Sequence, residues 1–439
     1  MITVSSQEKS RFCDGTSRRN FLRVGALGMS GMGGMTLPQL LRAESQAELG
    51  SSTKSVIMIY LGGGPSHLDL YDIKENAPSN IRGEFNAMAT SVPGIRVCEH
   101  LPQIARNMEK FAPVRSIVDS FGQHSSYQCE TGHTNKNEPA GGWPSMGAVL
   151  GKFSGQSSVG MPSGVSMNTP RSGGGFLGAA HQPFLPNGKG KGDMIQKRGL
   201  DAERLDDRKD LLASFDQLRR DADSGGLMEG MDEFNQLAFE VVTSSRLIDA
   251  LDPNKADASE RARYLQGVNA RYHRNLDQFL TARRLVEAGA RYVTLSTGGW
   301  DTHNDNFKRL REANLPVLDR GVATLVEDLH YLGLDRDVSV VVWGEFGRTP
   351  KVNGKGGRDH WPRVMSALLA GGGMKTGQVI GSTDRDGGEA SSRPVRVGEI
   401  FATLYQNCGL NPAKLVSTDL SGRPLSLVDP SLKPMRELV

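Results

Sequence analysis

The chain has 439 residues, 37% hydrophobic and 23% charged, a composition that points neither to a disordered chain nor to a membrane-embedded one. The formal net charge is +3, but residues 1–47 set Lys9, Arg11, Arg18, Arg19, Arg23 and Arg42 against only Glu8, Asp14 and Glu44, so the remainder is neutral. A neutral body gives no electrostatic case for nucleic acid binding.

The first segment, "SRRNFLRVGALGMSGMGGMTLPQLLRAESQA", joins the basic pair Arg18-Arg19 to a mildly apolar stretch that ends in small residues at Ala43 and Ala47. This is the layout of an export signal. The paired arginines mark the twin-arginine type, whose export machinery carries folded proteins, and the expected destination is the periplasm or cell envelope. The expected organisation is therefore a signal segment over 1–47 and a single α/β domain over 48–439. Cys13 falls in the leader, and the widely spaced Cys98, Cys129 and Cys408 read as unpaired structural thiols. No later apolar run is long enough to span a bilayer.

"SVIMIYL" (Ser55–Leu61) is a continuous apolar, β-branched run that stops at "GGGP", the pattern of a buried parallel strand. "LPQIARNMEKF" has helical spacing, Val114–Val118 reads as a second strand, and "SSYQCETG" and "WPSMGAVLGKF" read as helices. Residues 161–199 are rich in Gly, Pro, Ser and Lys and predict a long surface loop or lid, with Gly188–Asp193 as a solvated segment. Charged, amphipathic stretches near 201–222, 231–251 and 259–288 predict helices, so 161–288 is expected to be a loop and helical insertion or cap. Strand and helix then alternate again: Arg291–Thr297, a helix around Phe307–Leu332, Val338–Gly344, "RVMSALLAGGG", and a helix over "VGEIFATLYQNCGL" that Gly409 stops. The rhythm predicts a doubly wound, mostly parallel sheet with helices on both faces, and ligands beyond the carboxyl ends of its strands.

Four polar clusters stand at those ends. His67 and Asp69 lie in "GGGPSHLD", Asp301 and His303 in "GGWDTH", Glu345 in "WGEFGRTP", and Asp359 and His360 in "GGRDHWP". Imidazole nitrogen with carboxylate oxygen suits one or two divalent ions such as Zn, Mn, Mg or Ca, and not a thiolate site. In "SFGQHSSYQCETGHT", Ser125 and Ser126 stand where a hydroxyl at a helix start can attack an anionic ester, with Ser120 a weaker candidate. His124 and His133 can ligate or act as acid and base, and Arg348 and Arg358 can hold the anion as a bidentate fork.

Taken in order, the four motifs resemble the twin-arginine-exported bacterial family called domain of unknown function 1501, over nearly the whole mature chain. That family is related to the alkaline phosphatase and sulfatase superfamily. The resemblance implies that Asp301, His303 and His360 bind one metal and that Asp69 and Glu345 serve a second, with a nucleophile near Gly122–Ser126. Two departures stand out. No Cys-x-Pro-Ser-Arg occurs, and the single Ser-x-Pro-x-Arg, Ser392–Arg396, lies far from the expected nucleophile stretch Gly122–Ser126, which argues against formylglycine chemistry; Glu345-Phe346 replaces the superfamily's adjacent Asp-His. The expected function is an exported metal-dependent hydrolase of phosphate or sulfate esters, acting on an anionic ester such as a sulfated or phosphorylated glycan. The alternative is a non-catalytic metal- or anion-binding envelope protein on the same scaffold.

Overall fold

Every residue of Ser55–Leu61 (β1) is buried, as a strand covered on both faces requires. The computed structural model describes residues 54–136, 138–158, 160–169, 173–186, 241 and 244–439. It places β1 in a seven-stranded sheet with Phe111–Val118 (β2), Gly164–Ser166 (β3), Tyr292–Thr297 (β4), Val338–Trp343 (β5), Met365–Gly371 (β6) and Val395–Arg396 (β7). The spatial order is β7-β2-β6-β5-β1-β4-β3, and β6 alone runs antiparallel to its neighbours.

Four helices cover this sheet: Met146–Ser154 (α1), His273–Glu287 (α2), Leu315–Tyr331 (α3) and Val397–Asn407 (α4). The twofold alternation along β1 sorts them into layers. Ile57, Ile59 and Leu61 share a core with Leu276 and Phe279 of α2 and with Leu318 and Val322 of α3. Each such fully buried side chain contributes about 1.5–3 kcal/mol of transfer free energy. The opposite face carries Tyr292, in register with Val56, and Trp343, in register with Tyr60. Tyr292 packs so closely on Gly147 of α1 that an added Cβ would stand 2.6 Å from its ring, and Trp343 meets Phe401 of α4 with ring centroids 6.0 Å apart.

Register then fixes where the loops emerge. Leu61 pairs with Thr297 and Tyr60 with Trp343, so β1, β4 and β5 end level. Met365 pairs with Ile117 and Ala367 with Trp343, so β2 ends, and the antiparallel β6 begins, at that same edge. The chain leaving β1, β2, β4 and β5 and the chain entering β6 therefore converge at one rim.

Several elements differ from expectation. The second strand starts at Phe111 rather than Val114. Gly164–Ser166, expected to be loop, is an edge strand on β4; three residues with one apolar side chain are too short to give a periodic signal. The helix expected over 259–288 breaks at Gly267 (φ +76°), leaving Ala258–Leu265 and α2, and α2 belongs to the sheet-covering core rather than to a cap. The helix around Phe307–Leu332 begins as Asn306–Arg309 and passes through a π turn at Leu310–Asn314 before α3. Pro316 follows that turn and has no N–H to give the carbonyl four residues back. Ser245–Leu251 is helical as expected. The signal segment, Gly188–Asp193, the stretch 201–222 and most of 231–251 lie outside the described residues. No helix among the described residues is long and apolar enough to cross a membrane.

Candidate metal centre

Asp301 stands at the middle of the rim, four residues beyond β4. Its Oδ1 lies 3.1 Å from His303 Nε2 and 3.5 Å from His360 Nε2, and its Oδ2 lies 3.4 Å from His124 Nε2. Ligand atoms of His124, Asp301 and His360 all fall within 4.8 Å of one another. Three imidazoles from three separate loops thus present the same nitrogen to one carboxylate. Their side chains are 30–41% exposed and that of Asp301 is 46% exposed, so a solute can reach them.

The other ring nitrogens explain the orientation. His124 Nδ1 is 2.9 Å from Glu345 Oε1, and His303 Nδ1 is 2.6 Å from Asp359 Oδ1. A carboxylate oxygen only accepts, so each Nδ1 carries a proton, and in the neutral imidazole each Nε2 then keeps a lone pair. These lone pairs face the lone pairs of Asp301, an arrangement that calls for a cation between them. His360 Nε2 is a buried atom without a hydrogen-bond partner among the described residues, as a donor atom awaiting a cation is. A carboxylate behind a histidine that points its free nitrogen inward is the supporting layer of a metal centre. The residues therefore fit a divalent ion of the borderline N/O class: His124, Asp301 and His360 bring their ligand atoms close enough to hold it, and His303 Nε2, 3.1 Å from Asp301 Oδ1, stands beside them.

Local structure makes this possible. Gly63, at φ +120°, lets the chain leaving β1 pass so close that an added Cβ would stand 2.4 Å from Asp301 N, and Gly63 N donates to Glu345 Oε1 at 2.9 Å. Gly357 permits an equally close approach to the His303 carbonyl, which an added Cβ would meet at 1.9 Å. His360 is pinned by a two-residue ladder to Arg348.

Charge favours the ligand forms. Burial works to raise the Asp301 carboxyl, but the Arg348 hydrogen bond and the Arg348 charge outweigh it and hold the group below the usual carboxylate range. The hydrogen bond from His303 does the same for Asp359. Burial, then the charge of Arg348, keep the His360 imidazole below its ordinary value, hence neutral. Burial and the adjacent Glu345 charge push the Tyr60 phenol far up, so it stays protonated.

Other expected site residues are placed elsewhere. Asp69 is fully buried, with Arg358 Nε at 2.8 Å from Oδ2, Arg358 Nη2 at 2.9 Å from Oδ1, and Asn306 Nδ2 also on Oδ2 at 2.9 Å. Its oxygens are saturated, which corrects the expectation that it serves a second metal. The same pairing corrects the anion-binding role of Arg358, whose remaining donors go to the carbonyls of Ile81, Thr349 and Pro350. His67 is buried, its Nε2 2.7 Å from the Gly387 carbonyl and its Nδ1 packed on Gly347, so it does not reach the centre as a ligand. Arg348 is fully buried and spends its fork on the carbonyls of Gly63, Gly64, Trp300 and Arg358 and on Asp301 Oδ1 at 2.6 Å. It positions Asp301 and is not free to grip a substrate anion. Glu345 and Asp359 hold histidines, one step back from the ligand atoms. One group of candidate ligands forms among the described residues, not two.

For the nucleophile, Ser126 is 3% exposed and Ser120 donates to the Pro362 carbonyl at 2.7 Å. Ser125 is half-buried, accepts from Tyr127 N at 3.2 Å and lines a small cavity that Glu345 also lines. His133 stacks on Trp143 at 3.6 Å and directs Nε2 to the Leu427 carbonyl, so its role is packing. Cys98, Cys129 and Cys408 are buried and unpaired. Sequence reasoning missed Asn353, whose Nδ2 reaches Asp359 Oδ1 at 3.3 Å and the His303 carbonyl at 3.0 Å. The turn signal "NGKGG" beside "RDHWP" was the available clue.

Residues 53–439 match the model of the family described as "Protein of unknown function (DUF1501)". The chain belongs to the DUF1501 family. A search of curated proteins gives no match. Among solved structures, the chain is similar to Ps i-CgsB at 11% identity and a TM-score of 0.35, over 82% of this chain and 72% of that one. It is similar to the PsFucS1 sulfatase from Pseudoalteromonas sp. at 11% identity and a TM-score of 0.33, over 90% and 72%. The lipoteichoic acid synthase LtaP from Listeria monocytogenes follows at 10% identity and 0.31, over 88% and 80%. Overlaps this loose carry no chemical argument, which rests on the geometry of the rim.

Proposed function

We propose that the chain binds one divalent ion through His124, Asp301, His303 and His360 and hydrolyses phosphate or sulfate esters. The observation that carries the reading is the convergence of three Nε2 atoms on Asp301, two of them backed by Glu345 and Asp359. A bound divalent ion supplies positive charge that polarises an ester oxygen. The chain's own groups do the rest. Arg348 fixes Asp301, Glu345 and Asp359 hold protons at Nδ1 of His124 and His303, and the open rim admits the ester. Ser125, its oxygen steadied by Tyr127 N, is the nucleophile this reading favours. The paired arginines of the leader support export through the twin-arginine route as part of the same proposal.

The second reading, a metal- or anion-binding envelope protein without turnover, draws on the burial of Ser126 and the engagement of Ser120. One experiment separates the two. Protein purified without chelators is analysed for metal and assayed on aryl phosphates, phosphodiesters and aryl sulfates, beside Ser125→Ala. The hydrolase reading expects about one metal per chain and turnover that Ser125→Ala removes while the metal stays. Metal without turnover on any ester moves the assignment to the binding protein.

A further inference from the structure

A cavity of about 480 Å³ lies beside the centre and contains none of its ligands. That size falls within the range of about 300–1,000 Å³ typical of small-molecule sites. One wall is the loop Thr297–Trp300 that delivers Asp301, and the facing wall is the start of α2 together with the π turn Leu310–Asn314. The two sites touch through Arg309, which lines the cavity and donates to the Asp301 carbonyl at 3.4 Å.

The lining is neither apolar nor of one charge. Arg271, Lys308 and Arg309 offer cations, Asp305 and Glu312 carboxylates, and Asn275 and Asn314 amides. The Arg271 guanidinium lies over the Tyr272 ring at 4.6 Å, a cation–π pair that sets a charge beside the aromatic ring. Asn314 is tied by Nδ2 to the Gly298 carbonyl at 3.2 Å, which joins the π turn to the Asp301 loop. Lys308 makes no ion pair among the described residues, so its charge is available. A π turn in a helix commonly marks a functional position, and here it sets Glu312, Ala313 and Asn314 along the cavity.

Donors and acceptors beside an aromatic ring suit a polyhydroxylated ring, and the uncommitted Lys308 suits an anionic substituent on it. We infer that this cavity is a saccharide subsite, which binds an acidic sugar unit next to the one whose ester meets the centre. That adjacency rests on the hydrolase reading; the sugar binding itself does not.

Binding is therefore measured on full-length protein with chelator present, so that turnover plays no part. The probes are oligosaccharides of chondroitin sulfate, sulfated galactan and alginate, each with its neutral counterpart. At least one acidic probe should bind, its neutral counterpart at least about tenfold more weakly, and the double variant Arg271→Ala/Lys308→Ala should lose about tenfold or more in affinity. Both residues are exposed, so circular dichroism should be unchanged in the variant. No binding of any acidic probe, equal binding of neutral forms, or equal affinity in the double variant each overturns the subsite. Failure of the hydrolase reading shows separately, as absent ester turnover in metal-loaded protein whose sugar binding persists.

Discussion

Asp69 and Asp301 are mirror images in sequence: each follows a glycine-rich strand end, and each has a histidine two residues away. Their fates are opposite. Asp69 is fully buried, and Arg358 takes both its oxygens. Asp301 is about half exposed, and only one guanidinium nitrogen reaches it, which leaves its oxygens facing three imidazoles. A carboxylate saturated by an arginine fork is a strut. One that meets lone pairs at an open rim is a ligand. Spacing does not tell the two apart; the partner and the solvent do.

The largest expected effect lies on the Asp301 side of this contrast. Asp301→Ala should abolish metal binding and any ester turnover, and should cost about 1–3 kcal/mol in stability because it also takes the carboxylate from the buried Arg348 guanidinium. Calorimetric titration with zinc and denaturant melts check both. Full metal affinity in this variant would erase the distinction. On the Asp69 side, Arg358→Ala leaves a buried charge unpaired and should cost about 3–5 kcal/mol in urea unfolding, whereas the folded fraction keeps its metal.

A third buried carboxylate sharpens the comparison. Asp319 accepts from Gln103 N and Ile104 N without a guanidinium on its oxygens, and burial pushes its carboxyl up to about 6. A folded value above the unfolded one means that the folded state holds the proton longer. Stability should fall as pH rises from about 4 to about 6, by about 3 kcal/mol in all, and level off above that. Asp319→Asn should flatten that part of the chelator-treated unfolding profile, and an unchanged slope would place its origin elsewhere. The smallest effect belongs to the supporting carboxylates. Glu345→Gln and Asp359→Asn should each weaken metal affinity by about 10- to 100-fold without abolishing it.

Much of this was legible. The apolar runs at Ser55–Leu61 and Val338–Trp343 declared buried strands, and the polar loops after them marked the rim. Asp301, His303 and His360 were flagged in loops that register brings together, and His124 was named as acid, base or ligand. What stayed hidden depended on direction and distance. The short helix His67–Leu70 turns both of its polar residues inward. Arg358 finds Asp69 across 289 positions of sequence. Arg348 looked like an anion fork because its burial depends on three loops folding over it. No local pattern encodes such pairings, nor a cavity walled by a loop and a π turn.

The central claim is that three histidines and Asp301 hold one ion. X-ray absorption spectroscopy of the zinc-loaded protein tests it most directly. The account predicts about three imidazole nitrogens and one carboxylate oxygen at about 2.0–2.2 Å, with Asp301→Ala leaving no such shell. An all-oxygen or sulfur shell, or no bound zinc at all, would contradict it.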